Sequence, residues 1–204
     1  MEILASIHNV PINSAVLKQS LPDLKYPRNK ISDLEKSGVL IRLKKDVYIQ
    51  KNLDYSRELI ANHLYGISYV SLETALAFYG MIPERVYAVR SMTMKRAKTF
   101  STPIGTFEYK TVSSAYFSIG LKVEIVDNQY AFIIATPTKA VCDMIVGTPH
   151  LRLQSVRAMY DYLIEDLRID FDEVMNMDKD IVTQCIEFGK KKIELMQLLK
   201  FLKQ

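Results

Sequence analysis

Hydrophobic positions in the first 40 residues recur with a helical period and predict three short helices. The predicted helices cover residues 1–7, about 14–20 and 27–37. Asn13 suits the N-cap of the second helix, because its side chain can accept hydrogen bonds from free amides of the first turn. Pro27 suits the first position of the third helix, and Gly38 marks its end.

Two β-rich segments follow the third helix. They cover residues 39–42 and 47–50 and flank a Lys44-Lys45-Asp46 turn. The order helix, helix, helix, hairpin within about 50 residues is that of a winged helix-turn-helix domain. We therefore expect a first domain at residues 1–52.

Beyond this point the pattern predicts two helices and then changes to a period of two. The helices start at Asp54 or Ser56 and at Ser71, and the second ends at Gly80. The predicted strands cover Arg85–Ser91, Lys98–Ser101, Gly105–Val112, Leu121–Val126 and Gln129–Ala135. Asp127-Asn128 predicts a tight hairpin turn between the last two strands.

The remainder of the chain returns to a helical pattern. Thr136-Pro137 predicts the cap and first residue of a helix that runs through Val146. From about residue 154 a helical tail is expected, with breaks near Asp170-Phe171 and at Gly189. Residues 53–204 thus form a second, larger domain, and the fold class is α/β of the α+β kind, with a mixed or antiparallel sheet.

The third helix has a polar face suited to the major groove, whose base edges carry a distinguishable hydrogen-bonding pattern. Ile31 and Leu34 point inward, which leaves Asn29, Ser32 and Lys36 on the opposite face. Arg28 and Lys30 flank the core side, where they suit phosphates. This helix is the expected recognition helix.

The hairpin adds three basic residues near its tip, where a wing meets backbone or the minor groove. They are Arg42, Lys44 and Lys45. The alternative is a protein-interaction module whose lysines are simply solvated. DNA binding is favoured because the basic residues gather on the helix and the wing together.

The net charge of +4 is unevenly distributed. Residues 1–50 carry eight basic and five acidic residues, and residues 85–122 carry seven basic residues and a single acid. Such basic blocks suit anionic partners. Within the second block Lys95, Arg96 and Lys98 crowd one turn, which must be largely exposed because unpaired buried charges are costly.

The residues give little indication of an enzyme, and no metal or cofactor is expected. The histidines (His8, His63 and His150) are scattered, without metal-ligand spacing, and no glycine-rich phosphate loop is present. Glu108-Tyr109-Lys110 resembles half of a metal-dependent nuclease core. That chemistry needs a second carboxylate from an upstream strand, and residues 85–107 contain none.

The location expected from the sequence is the cytoplasm. The start lacks a signal-peptide pattern, and no apolar run reaches the length of a membrane span. Cys142 and Cys185 each lie in apolar helical patterns and are expected to be isolated, buried thiols. They fit a reducing compartment better than a disulfide scaffold.

Three segments resemble the abortive-infection antitoxin family (AbiEi type). Residues 28–48, RNKISDLEKSGVLIRLKKDVY, are similar to its basic helix and G-x-L-x-R-L-x-x-G-V-Y wing. Residues 69–83 resemble a family helix that ends in Gly-Leu-x-Pro, and residues 135–144 resemble its Ala-Thr-Pro-x-Arg-Thr-Leu-x-Asp helix start. The likeness covers roughly residues 25–146. One departure is Asp46, an acid where the family has glycine in the wing.

The resemblance implies a repressor of its own operon that also neutralises a nucleotidyltransferase-like toxin encoded beside it. The N-terminal part would bind inverted repeats in the promoter, and the C-terminal part would serve antitoxin action, with or without stable toxin contact. Lys95, Arg96 and Lys98 would then meet an acidic toxin surface. They could instead extend the DNA footprint or be solvated.

Two other function classes stay open at this point. One is a stand-alone regulator whose second domain senses a ligand or dimerises. The other is a nuclease with a DNA-targeting domain. The sequence leaves the oligomeric state undecided.

Overall fold

Within the residues that the structure describes, the N-terminal unit contains two helices packed on one small antiparallel sheet. The computed structural model describes residues 10–22, 24–51 and 55–204. Its first elements are β1 (Ile12–Asn13), α1 (Ser14–Gln19), α2 (Pro27–Lys36), β2 (Leu40–Lys44) and β3 (Val47–Gln50). The sheet order is β1-β3-β2. The helix predicted at residues 1–7 lies outside the described residues.

Local capping chemistry determines where these helices begin, as predicted. The Asn13 side chain accepts a hydrogen bond from the Val16 amide at 2.9 Å, which satisfies one free donor of the first turn of α1. Pro27 opens α2, where its missing amide proton costs no hydrogen bond.

The wing turn is built around Asp46. Its φ of +63° is a left-handed conformation that glycine adopts freely and that aspartate tolerates better than most residues. The Ser14 amide donates to the Asp46 carbonyl, and the Ser14 hydroxyl donates to Oδ1 of Asp46, both at 3.0 Å. The turn therefore has the geometry that glycine would give it, and the carboxylate is tied back to α1.

The wing sheet is buried on both faces. One face completes a small core with the helices, formed by Ile12, Leu17, Leu21, Ile31, Leu40 and Tyr48. On the other face Leu43 and Ile49 belong to the large core of the following part of the chain. The predicted domain boundary at residues 52–53 lies outside the described residues.

The larger part is a six-stranded mixed sheet with helices on both faces, which confirms the predicted fold class. Its first half contains α3 (Arg57–Leu64), β4 (Ser68–Val70), α4 (Leu72–Phe78), β5 (Val89–Thr93), β6 (Lys98–Thr102) and β7 (Gly105–Thr111). Then follow α5 (Ser114–Phe117), β8 (Leu121–Val126), β9 (Tyr130–Ala135) and α6 (Pro137–Gly147). The strand order is β6-β7-β5-β4-β9-β8.

Two strands differ from the sequence prediction. Strand β4 lies in the middle of the sheet, paired with β5 and β9, but its three residues are too few to show a period. The strand predicted at Arg85–Ser91 begins only at Val89, where pairing with Phe107 of β7 starts. Tyr87 is 78% exposed, so the alternation before Val89 does not reflect burial.

The hairpin turn at Asp127-Asn128 is confirmed. Both residues have left-handed φ values, +49° and +55°, as a tight primed turn requires. The Gln129 amide donates to the Val126 carbonyl at 2.9 Å and closes the turn. This turn sets the register between β8 and β9.

The sheet separates two helical layers. Helix α3 lies on one face, where the Tyr109 hydroxyl of β7 donates to the Ala61 carbonyl at 2.6 Å. Helices α4 and α6 cover the other face, and there Phe78 makes an edge contact with Phe132 at 5.7 Å between ring centroids.

The C-terminal segments pack beyond α6 and are helical, as predicted. They are α7 (Val156–Tyr160), which continues as a π-helical segment (Asp161–Asp166), α8 (Phe171–Met175), α9 (Lys179–Phe188) and α10 (Lys192–Phe201). The breaks expected near Asp170 and Gly189 are present, and a further one precedes Asp178, the N-cap of α9. Within the described ranges, no helix is long and apolar enough to cross a membrane.

Candidate nucleic-acid interface

An open depression of about 580 Å³ lies between α1, α2 and the wing. Four basic side chains line it, from all three elements: Lys18, Arg28, Arg42 and Lys45. The acids Glu35 and Asp46 also line it, but the Asp46 carboxylate is engaged by Ser14. The depression therefore carries a positive excess on a concave surface, which suits an anionic backbone.

The predicted contact residues divide between this depression and the surrounding surface. Arg28, Ser32, Arg42 and Lys45 lie together in the depression. Asn29, Lys30 and Lys36 are exposed on α2 and do not line it. The side of α2 that faces the wing thus runs along residues 28, 32 and 35.

Lys18 is a site residue that the sequence prediction missed. It is half-buried on α1, one turn after Ser14, and both residues line the depression. Only the packing of α1 against α2 and the wing brings it beside Arg28. The first helix of a helix-turn-helix crosses the DNA backbone, and this could have pointed to a basic residue such as Lys18 on α1.

Lys44 lies apart from its neighbours and turns toward the second part of the chain. Its Nζ is 5.8 Å from the centroid of the Phe100 ring in β6. Lys98 Nζ lies 4.8 Å from the same centroid, and Lys95 Nζ lies 5.3 Å from the Tyr65 centroid. The Tyr65 and Phe100 rings are themselves 5.4 Å apart, edge to face. The ammonium groups of three lysines thus lie over the rings of one aromatic pair, Tyr65 and Phe100.

We call Lys44, Lys95 and Lys98 the lysine cluster. Burial lowers the pKa of Lys44, and the positive charges of Lys95 and Lys98 lower this pKa further. The Lys95 ammonium is held in place by donation to the Tyr65 carbonyl at 2.9 Å. An anion bound between these lysines would relieve their repulsion.

Arg96 adjoins the lysine cluster and is exposed, as predicted for its turn. Its carbonyl accepts a hydrogen bond from the Tyr65 hydroxyl at 3.1 Å, which fixes the turn against the same ring. Lys44 is adjacent in sequence to Lys45, which lines the depression. The two basic regions that the sequence predicted separately therefore meet at the wing, where Lys45 lines the depression and Lys44 belongs to the lysine cluster.

The carboxylate of the nuclease-like Glu108-Tyr109-Lys110 segment is held by an arginine. Arg90 Nε donates to Glu108 Oε2 at 3.0 Å, and its Nη1 donates to Glu73 Oε1. A second carboxylate is thus present, from helix α4 rather than from an upstream strand. The guanidinium bridges the two acids where a metal ion would have to lie.

We expect no cleavage when the protein is incubated with duplex DNA or RNA and Mg²⁺ or Mn²⁺. The reason is that Arg90 forms ion pairs with both Glu73 and Glu108 and lies between the two carboxylates. Gel electrophoresis of the nucleic acid checks this. Cleavage that disappears in Glu108→Ala would show instead that the segment is a nuclease site.

The motif at residues 135–144 contains a fully buried ion pair between Lys139 and Asp143. Lys139 Nζ lies 3.0 Å from Asp143 Oδ1, and both side chains are fully inaccessible. The Ser71 hydroxyl donates to the other oxygen, Oδ2, at 2.6 Å. Lys139 Nζ also donates to the Tyr116 carbonyl at 3.2 Å. These contacts tie α6 to the start of α4, so this motif is structural.

The two cysteines are buried as predicted, but the expectation that they are isolated is wrong. A hydrogen bond with Cys185 and burial together raise the pKa of the Cys142 thiol well above its ordinary range. The thiolate is the reactive form, and the raised pKa keeps the Cys142 thiol protonated in the hydrophobic core.

Among the residues that the structure describes, no three His, Cys, Asp or Glu side chains are grouped so that they could hold a metal ion. No protein-family model matches the chain, and no curated protein matches it either. The likeness to the antitoxin family therefore rests on the three quoted segments.

Proposed function

We propose that this protein is a DNA-binding transcriptional regulator whose winged helix docks on the phosphate backbone of duplex DNA. The observation that carries the proposal is the convergence of Lys18, Arg28, Arg42 and Lys45 in one open depression. Three separate elements contribute to it. That arrangement is typical of a backbone-contacting winged helix.

The exposed part of α2 supplies the base-reading surface in this proposal. Asn29 and Lys36 lie outside the depression and are exposed, so they are free to enter the major groove while Arg28 and Arg42 hold the backbone. Asparagine pairs well with adenine, and lysine with guanine. Phosphate contacts position the domain, and these side chains select the sequence.

The first test removes two backbone contacts by the double substitution Arg28→Ala and Arg42→Ala. Each phosphate contact contributes through counterion release, so two lost contacts weaken binding about 30-fold at roughly 0.15 M salt. Fluorescence anisotropy with a duplex of the chain's own upstream region and with a random duplex measures the effect. Both duplexes should lose affinity alike.

The matched control removes two exposed arginines from the C-terminal part, Arg152→Ala and Arg157→Ala. It changes the net charge by the same amount and leaves the depression intact, so affinity should stay within about twofold of the original. If both double variants lose the same DNA affinity, the loss comes from the lower net charge and not from the depression. Wild-type protein that binds no duplex at low salt would refute the proposal.

The cytoplasmic location stays a prediction from the sequence pattern, and autorepression and antitoxin action stay predictions from the family resemblance. The observation that tests antitoxin action is whether a gene for a nucleotidyltransferase-like protein lies beside the gene for this protein. If that neighbour is toxic when expressed alone and harmless with this protein, antitoxin action is supported. Without such a neighbour, the stand-alone regulator becomes the better description.

A further inference from the structure

Strand β8 is an open edge of the large sheet. It pairs with β9 on one side, and no other strand in the described part of the chain pairs with it. Edge strands present unpaired backbone donors and acceptors to any strand that can align with them. Val123 and Ile125 on this edge are 60% and 63% exposed, so the edge is also apolar on one face.

The opposite edge of the same sheet is protected. Strand β6 carries Lys98 in the lysine cluster, and its flank is covered by contacts with β2 of the wing. Lysine on an edge and a covering hairpin are common ways to prevent strand pairing. Strand β8 has one basic and one acidic residue, Lys122 and Glu124, whose charges cancel.

The sequence of β8 is complementary to itself in an antiparallel arrangement. When Val123 lies opposite Val123 of a second copy, Lys122 lies opposite Glu124, and Leu121 lies opposite Ile125. Side chains directly opposite each other share a face of the sheet. The apolar face therefore meets an apolar face, and each charge on the other face meets its opposite.

From this register we propose that β8 pairs with β8 of a second copy and forms a two-fold symmetric dimer with a continuous sheet. Two-fold symmetry requires a self-complementary patch, and this edge provides one in both charge and hydrophobicity. The apolar strip continues onto β9 through Ala131 and Ile133, which pair with Ile125 and Val123. The contact is small, so the dimer dissociates in the micromolar range.

The dimer would place the two wings far apart. Each wing contacts β6, five strand spacings from β8, so the two β6 strands lie roughly 50 Å apart in a joined sheet. One helical turn of DNA spans only about 35 Å, so a separation of roughly 50 Å corresponds to about one and a half turns, and the half-sites would lie more than one turn apart. This spacing rests on the proposed DNA binding, whereas the dimer does not.

Sedimentation equilibrium of the full chain without DNA tests the interface. We expect a reversible dimer that Val123→Lys weakens at least tenfold, because two lysines would then face each other across the two-fold axis. The matched control is Ile193→Lys, a similar substitution at a 55% exposed residue of α10. It should leave the dimer unchanged.

A charge exchange separates interface effects from folding effects. Lys122→Glu and Glu124→Lys each place like charges opposite each other, so each should weaken the dimer several-fold. The double exchange restores opposite charges at both positions and should restore the dimer.

A wild-type monomer throughout the micromolar range would overturn the dimer, and so would a dimer insensitive to Val123→Lys or a double exchange that fails to rescue. Failure of DNA binding would leave these results unaffected. Footprints on the upstream duplex then test the spacing alone.

Discussion

Replacing Asp143 by alanine should lower the free energy of unfolding by about 3–5 kcal/mol. The substitution leaves the Lys139 ammonium fully buried without its counter-charge, and it removes the acceptor of the Ser71 hydroxyl. A loss of this size is a large fraction of the stability of an ordinary domain. Chemical denaturation followed by circular dichroism measures it.

The chain contains a matched control for this effect. Arg157 and Asp161 form an ion pair of the same i, i+4 spacing at 2.9 Å, but on the surface. Asp161→Ala should therefore cost less than about 0.5 kcal/mol. Equal losses in the two variants would show that burial does not govern the Lys139–Asp143 pair.

A double substitution shows how much of the stability lost in Asp143→Ala comes from leaving the Lys139 charge unpaired. Lys139→Met with Asp143→Leu removes both charges and keeps most of the volume, so it should be markedly less destabilising than Asp143→Ala. If the double variant is the less stable one, the ion pair and its hydrogen bonds stabilise the fold by themselves.

The sequence predicted best those features that a few neighbouring residues determine. The cap at Asn13, the helix start at Pro27 and the turn at Asp127-Asn128 depend on local backbone chemistry, and each is present. Strand β4 was missed because its position depends on partners about 20 and 60 residues further along the chain. A three-residue segment carries no period of its own.

The candidate site shows the same division. Arg28, Arg42 and Lys45 were predicted from their places on a helix and a wing, and they share the depression. The proximity of Lys44 to Lys95 and Lys98 could not be predicted, because it depends on how the wing packs against β6. For the same reason Glu73 was not recognised as the second carboxylate beside Glu108.

Reversing Lys95, Arg96 and Lys98 to glutamate should weaken DNA binding more than 100-fold at roughly 0.15 M salt. Three phosphate contacts would be lost, and three negative charges would stand beside the wing, where Lys44 completes the lysine cluster. The slope of log K against log salt should fall by about 3 in magnitude, which removal of base contacts would not produce. Anisotropy titrations over a salt series measure both quantities.

The same variant decides between DNA and a toxin as the partner of this surface. The family resemblance favours a toxin, whereas contact with the wing favours DNA. A thermal melt first establishes that the variant folds, which is expected because all three side chains are exposed. Lost DNA binding supports an extended DNA footprint. Intact DNA binding with lost rescue of cells that express the neighbouring toxin would assign the surface to the toxin, and no change in either would leave it as solvated surface.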